Sequence, residues 1–301
     1  MTRELLSDPK FWLLLTLAVI AAGFIYVFIR AAAGRDAANE TAIGFGTNFF
    51  DTLGIGSYAP TTALFRALKL VPDERIPGTL TIGHAIPTIV QAFFFITIVQ
   101  VEMRTLILLI VAAVIGSWLG AGVVARWPRR KIQLGMGIAL LVAAVTFVLK
   151  NLDEMRGQPV IPGGTALGLD GSLLAVGFVG NFALGALMTL GIGLYAPCLI
   201  MISLLGMNPT AAFPIMMGSC AFLMPIASAR FIKAEKWSLK PALGLALGGI
   251  PAVLIAVLIV KSLPLIAVRW LVVVVVLYAS LGLLRAARRE AASPPAASGS
   301  V

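Results

Sequence analysis

Charge is scarce in this sequence. Asp, Glu, Lys and Arg make up 12% of its 301 residues, about half the share of an average soluble domain. Cysteine and histidine are scarcer still, with two Cys and one His. Cys198 and Cys220 both lie in apolar stretches, so they form no disulfide framework. No CxxC or Cys/His spacing is present to hold a metal, and both thiols read as small packing residues. There is no GxxxxGK[ST], which excludes a chain that powers itself with ATP. There is no HExxH either. One His and one deep Asp are thin material for a nucleophile–base pair, so neither an enzyme nor a cofactor is expected. No Lys or Arg stands in the middle of an apolar run.

What is present is apolar. Hydrophobic residues are 59% of the chain, in long runs that a transmembrane barrel would break by alternation. The expected class is an all-α integral membrane protein. Phe11–Ile29 is a run of 19 residues, long enough to span and longer than a signal-peptide core, so it reads as a retained helix. Further runs cover Gly44–Leu70, Thr79–Gln100, Thr105–Ala125, Ile132–Leu149, Leu173–Leu205, Met207–Ile232, Leu243–Val260 and Trp270–Leu284. The net charge is +10. Its basic residues fall in short loops between the runs, which is the positive-inside pattern of a bilayer protein rather than a nucleic-acid surface.

Two of the runs contain the same phrase. Thr52–Pro60 reads TLGIGSYAP and Thr189–Pro197 reads TLGIGLYAP, identical at eight of nine positions and 137 residues apart. Such self-similarity marks an internal duplication. The likeness extends beyond the phrase. Gly83–His84 and Pro87 correspond to Gly218–Ser219 and Pro225, and Trp127–Pro128 to Leu263–Pro264. Gly44 and Asn48 in the first copy face Asn181 and Gly185 in the second, with the two residue types exchanged. Gly116, Gly120 and Gly122 are spaced for close helix contact. The chain then divides into an N-terminal helix and polar linker (1–40, with the linker at Ala31–Glu40), a first repeat (41–150), a polar connector (151–172), a second repeat (173–286) and a disordered tail (287–301) rich in Ala, Ser and Pro.

Glycine and proline inside an apolar run interrupt a helix. If every run crossed once, with the N-terminus inside, 11 basic residues would lie inside and 12 outside. If each phrase instead forms a hairpin that returns to its own side, seven crossings remain. With the N-terminus outside, 16 basic residues then lie inside and seven outside. Only the hairpin arrangement obeys the positive-inside rule. It predicts two inverted repeats, each a broken Gly-Pro hairpin followed by three transmembrane helices, with the hairpins opposed near the midplane where protein shields their irregular backbone.

Paired interruptions of this kind point to a substrate site. The Gly54-Ile55-Gly56 and Gly191-Ile192-Gly193 turns free backbone N–H groups at the start of the next half-helix, where about half a positive charge favours an anion. Thr52, Ser57, Tyr58, Thr189 and Tyr195 add hydroxyls, and Asn48 and Asn181 add amides. Asp51 either caps a half-helix or relays a proton. His84 is either hydrogen-bonded structure or a second proton carrier. Met188 and Ser219 replace them in the second half. Glu102 and Arg104 read as solvated loop residues, while Arg66 and Arg230 stand near segment ends and reach the surface.

With these residues in hand, the chain resembles the TauE/SafE family of sulfite exporters over roughly residues 41–286. The likeness lies in the duplicated Gly-rich phrase ending in Pro, the Gly-rich spans with a Pro-bearing loop after them, and the length. The family's usual turn has more consecutive glycines than Gly54-Ile55-Gly56. The resemblance implies a secondary permease of the bacterial inner membrane that moves sulfite, an organosulfonate or a related sulfur-containing anion. The implied partners are a small anion and the lipid bilayer, with a homo-oligomer compatible and no nucleic acid. An intramembrane enzyme, a non-transporting assembly factor and a gated channel are the alternatives.

Overall fold

The computed structural model of the chain describes residues 8–32, 38–124, 129–155, 164–188, 193–262 and 265–292. Helices α1 (Pro9–Ala32), α2 (Ala38–Thr52) and α3 (Tyr58–Ala67) come first. A 3₁₀ turn (Asp73–Arg75) leads into α4 (Ile76–Gly83), α5 (Ala85–Ile98), α6 (Met103–Val124) and α7 (Arg129–Met155). The second half holds α8 (Gly171–Met188), α9 (Tyr195–Leu204), a 3₁₀ turn (Pro209–Ala211), α10 (Ala212–Lys233), α11 (Leu239–Ser262) and α12 (Leu265–Ala292). The extended pairing among the described residues is one isolated bridge between Ala166 and Met207. Among the described residues, five helical stretches are long and apolar enough to cross a membrane: Asp73–Ile98, Gly171–Met188, Pro209–Lys233, Leu239–Ile259 and Trp270–Arg289. Large apolar side chains such as Val179 and Leu258 point outward, as an all-helical multi-pass membrane protein requires.

Both phrases break their helices. α2 ends where Gly54 N–H donates to Asp51 O (2.8 Å) and Ile55 N–H donates to Phe50 O (3.1 Å). This bond pair needs a left-handed residue at Gly54, whose φ is +95°. Pro60 and Pro197 are the third residues of α3 and α9. Proline sits well there because a first-turn N–H has no helical acceptor. The same bond pair ends α3 at Lys69 (φ 52°) and α9 at Gly206 (φ 89°), and those residues share the 137-residue spacing of the phrases.

Packing between the halves is reciprocal. α2 lies along α11, and α8 along α6. Glycine makes both approaches possible: a Cβ on Gly44 would stand 2.6 Å from Leu245 Cα, and one on Gly185 would enter the Ala113 carbonyl. Gly116 meets the Phe182 backbone in the same way. Gly120 and Gly122 are helical, but their surroundings lie outside what is described. Corresponding helices pair directly elsewhere. α7 meets α12, where Ser280 Oγ donates to Gly137 O at 2.7 Å. α5 meets α10, with Phe95 and Phe213 stacked at 5.2 Å.

Several sequence expectations need correction. α7 continues to Met155, five residues into the expected connector, and α12 continues to Ala292 through the start of the expected tail. Helix propensity of Ala, Arg and Glu there outweighs their polarity. Ala38–Glu40 belongs to α2 rather than to a linker, and Glu40 is buried with Lys240 Nζ 3.8 Å away. The end of the connector is held rather than free: Asn208 N–H donates to Ala166 O (2.8 Å) and Glu102 N–H to Leu167 O (2.8 Å). Glu102 is half-buried and accepts from Thr105 Oγ1, whereas exposed Arg104 lies 3.4 Å from Asp170. The Thr79–Gln100 run breaks at His84, because the ring of Pro87 displaces the Gly83 carbonyl four residues back. Trp127–Pro128, Leu263–Pro264 and the tail from residue 293 lie outside the described residues.

Candidate functional site

A small cavity lies where the two phrases meet. Asp51, Gly56, Ser57 and Tyr58 of the first copy line it, with Gly193, Leu194 and Tyr195 of the second. Thr88 of α5, Met188 of α8, and Cys220 and Met224 of α10 complete the wall. Asp51 and Met188, equivalent in the duplication, thus face one space. The free volume is about 20 Å³, room for one water-sized molecule. The starts of α3 and α9 both line it, through Ser57 and Tyr58 and through Leu194 and Tyr195.

The polar residues form a chain that joins the halves. Tyr195 Oη donates to Gln91 Oε1 at 2.8 Å. Gln91 Nε2 donates to Asp51 Oδ2 at 2.9 Å and to Thr52 Oγ1 at 3.0 Å. Ser57 N–H donates to Asp51 Oδ1 at 2.6 Å, so the carboxylate caps the start of α3 from the end of α2. Thr52 Oγ1 donates to Asn48 O at 2.8 Å. All of these side chains are buried. Buried amides and hydroxyls are tolerated when paired in this way.

The two asparagines play matched parts outside the cavity. Asn48 Nδ2 donates to Gly44 O (2.7 Å) and reaches Leu245 O on α11 (3.5 Å), while its Oδ1 faces His84 Nδ1 at 3.0 Å. Asn181 Nδ2 donates to Leu109 O on α6 (2.6 Å) and to Ser219 Oγ (2.9 Å). Each asparagine therefore ties its own half to a helix of the other half, and His84 and Ser219 are its equivalent partners. The expectation that Asn48 and Asn181 touch the substrate does not fit this placement. His84 is likewise enclosed, with Nε2 3.2 Å from Thr61 Oγ1 and its ring stacked on Tyr58. Tyr58 Oη donates to Thr81 Oγ1 at 3.1 Å.

Of the remaining expected residues, Gly54 and Gly56 (φ +88°) have the left-handed backbone a turn requires. Gly193 lines the cavity beside Leu194. Gly54 faces Met216 and Phe213 rather than the cavity. Thr189 and Gly191 lie outside the described residues. Gln91, Thr88 and Met224 were not singled out from the sequence, which marked Met188 only as the counterpart of Asp51 and Cys220 only as a packing thiol. Gln91 carried a signal, a lone amide deep in an apolar run; Cys220 and the methionines carried none beyond ordinary packing. Cys220 Sγ stands 3.6 Å from Met188 Sδ, and Cys198 is a buried thiol outside the cavity wall. Among the described residues, no three His, Cys, Asp or Glu side chains converge to hold a metal.

No family model matches the chain, and no curated protein or solved structure matches it.

Proposed function

We propose that this chain is a secondary transporter of the bacterial inner membrane, built from two inverted repeats and carrying a small sulfur-containing anion such as sulfite or an organosulfonate. One observation carries the reading: a single cavity lined by both copies of the duplicated phrase, with two half-helix starts opening onto it. Aligned N-terminal dipoles and neutral donors hold an anion without a full counter-charge. Weak holding suits release on either side. The sulfur identity of the cargo rests on the resemblance to TauE/SafE exporters.

Contacts near the ends of the apolar segments support the returning hairpins. Ser238 N–H donates to Thr79 Oγ1 (2.9 Å), Arg230 to Trp118 O (3.1 Å), and Ala166 bridges Met207. Each pair would be split across the bilayer if both phrases crossed it, and each falls on one side if both return. The arms of the hairpins are unequal, with α8 at 18 residues and α9 at 10, so the deeper arm nearly reaches through the hydrocarbon. A cavity of about 20 Å³ has no room for a sulfonate, so carrying one requires the two turns to part. Alternating access between the repeats follows.

The test is flux in proteoliposomes. Sulfite or methanesulfonate should enter protein-containing vesicles faster than empty ones, and faster than a cation control. Anion flux equal to that of empty vesicles across a panel of sulfur oxyanions would refute the proposal.

A further inference from the structure

An anion site has no obvious use for Asp51. Its carboxylate lines the cavity and is buried. The ion pairs among the described residues lie at helix ends, Arg66 with Asp73, Arg104 with Asp170 and Lys240 with Glu40. The titratable groups that face Asp51 are Tyr58 on α3, Tyr195 on α9 and Cys220 on α10, while His84, between α4 and α5, is turned to Asn48 and Thr61. α11, which packs along α2, brings its Lys240 only to Glu40 at the far end. A bound anion and an ionised Asp51 would repel in a space with no cation to offset them.

Resting on the anion reading above, we infer that the anion and a proton bind together, with the proton on Asp51, and that Gln91 converts this proton into a hydrogen bond for the anion. In the structure Gln91 Nε2 points at Asp51 and its Oε1 accepts from Tyr195. A protonated Asp51 has an O–H of its own on the Gln91 side, so two donors would meet. The amide resolves this by turning over. Its Oε1 then accepts from Asp51 O–H, and its Nε2 donates to Tyr195 Oη. The Tyr195 hydroxyl proton is released from Gln91 and can point into the cavity that Tyr195 lines. One proton thus removes the repelling charge and supplies a donor. The same turn ends the Gln91 Nε2–Thr52 Oγ1 bond, and the Thr52 hydroxyl swings from Asn48 O to donate to Gln91 Oε1; the proton enters and leaves with the anion. His84 stays outside this exchange, held by Asn48 and Thr61.

The experiment uses purified protein in lipid nanodiscs and methanesulfonate, an anion with no titrating proton of its own near neutral pH. Binding in weakly buffered medium should take up about one proton per anion. The dissociation constant should rise about tenfold per pH unit where the empty site is deprotonated. Asp51→Asn, whose amide can donate to Gln91 as the protonated acid does, should bind with pH-independent affinity and take up no proton. Tyr195→Phe should lose roughly tenfold in affinity at every pH while still taking up one proton per anion, since the protonated bound form then lacks a donor worth a charged hydrogen bond. Methanesulfonate binding by the wild type without proton uptake would overturn the inference and leave the anion reading standing. So would a requirement for sodium in place of the proton, or an unchanged pH dependence in Asp51→Asn. Failure of every sulfur oxyanion to bind at any pH would overturn the anion reading and this inference together. Proton uptake by the wild type decides the matter even if Asp51→Asn does not fold.

Discussion

Gly56 and Gly193 hold equivalent places in the two phrases, and both line the cavity. Gly56 has φ +88°. A Cβ there would meet nothing within 4 Å, so Gly56→Ala is expected to lose about 1–2 kcal/mol from backbone strain alone. Thermal unfolding without substrate measures this, and an unchanged midpoint would mean that the turn is not strained. Substrate-induced stabilisation should shrink in both Gly56→Ala and Gly193→Ala. The converse substitution is Lys69→Gly, at a left-handed terminator whose equivalent is already Gly206. It should raise stability by up to about 1 kcal/mol, and a lower midpoint would contradict that account. The Gly54-Ile55-Gly56 turn was legible in the sequence because one residue type dominates such backbone. Gln91 was not, because its role depends on partners 40 and 104 residues away. The asparagines were legible as a swapped pair, but a sequence cannot tell a ligand contact from a tie between helices.

At the scale of helices, glycine sets distance. Gly116 lies against the Phe182 backbone where α6 meets α8. Gly116→Ala should force the two apart and cost about 1–3 kcal/mol. Gly135→Ala on α7, with nothing within 4 Å of the added methyl, should be neutral or gain up to about 1 kcal/mol of helix propensity. Thiol labelling during heating measures both, because Cys198 and Cys220 are buried and react only on unfolding. Similar midpoints for the two variants would remove the packing argument. The existence of the helices was readable from apolar runs, and their ends were not. Polarity suggested loops at 151–155 and 287–292 where helix propensity prevails. Proline was an uneven guide: Pro87 interrupts its run, whereas Pro225 and Pro251 sit inside continuous helices.

For the whole molecule, the side on which each end lies is the first thing to establish. In the proposed seven-crossing arrangement, the bias of 16 basic residues inside to seven outside predicts an N-terminus outside and a C-terminus inside. Cysteines introduced as Leu5→Cys and Pro295→Cys should label from opposite faces with an impermeant reagent, over a low background from the buried native thiols. Labelling of both from the same face would sink the seven-crossing arrangement.

The exchange of helices between the halves also bears on how the chain is made. α2 finds its partner in α11, which begins about 200 residues later. At ribosomal rates of about 5–20 residues per second, α2 waits on the order of 10–40 s with its glycine face uncovered. The first half emerging from the insertion machinery is thus an unfinished object, holding a groove shaped for chain not yet synthesised. A truncated product ending at residue 155 should be cleared by proteases. The same fragment co-expressed with residues 164–301 should be rescued, each piece completing the other. Stable accumulation of the first fragment alone would show that α2 finds cover within its own half.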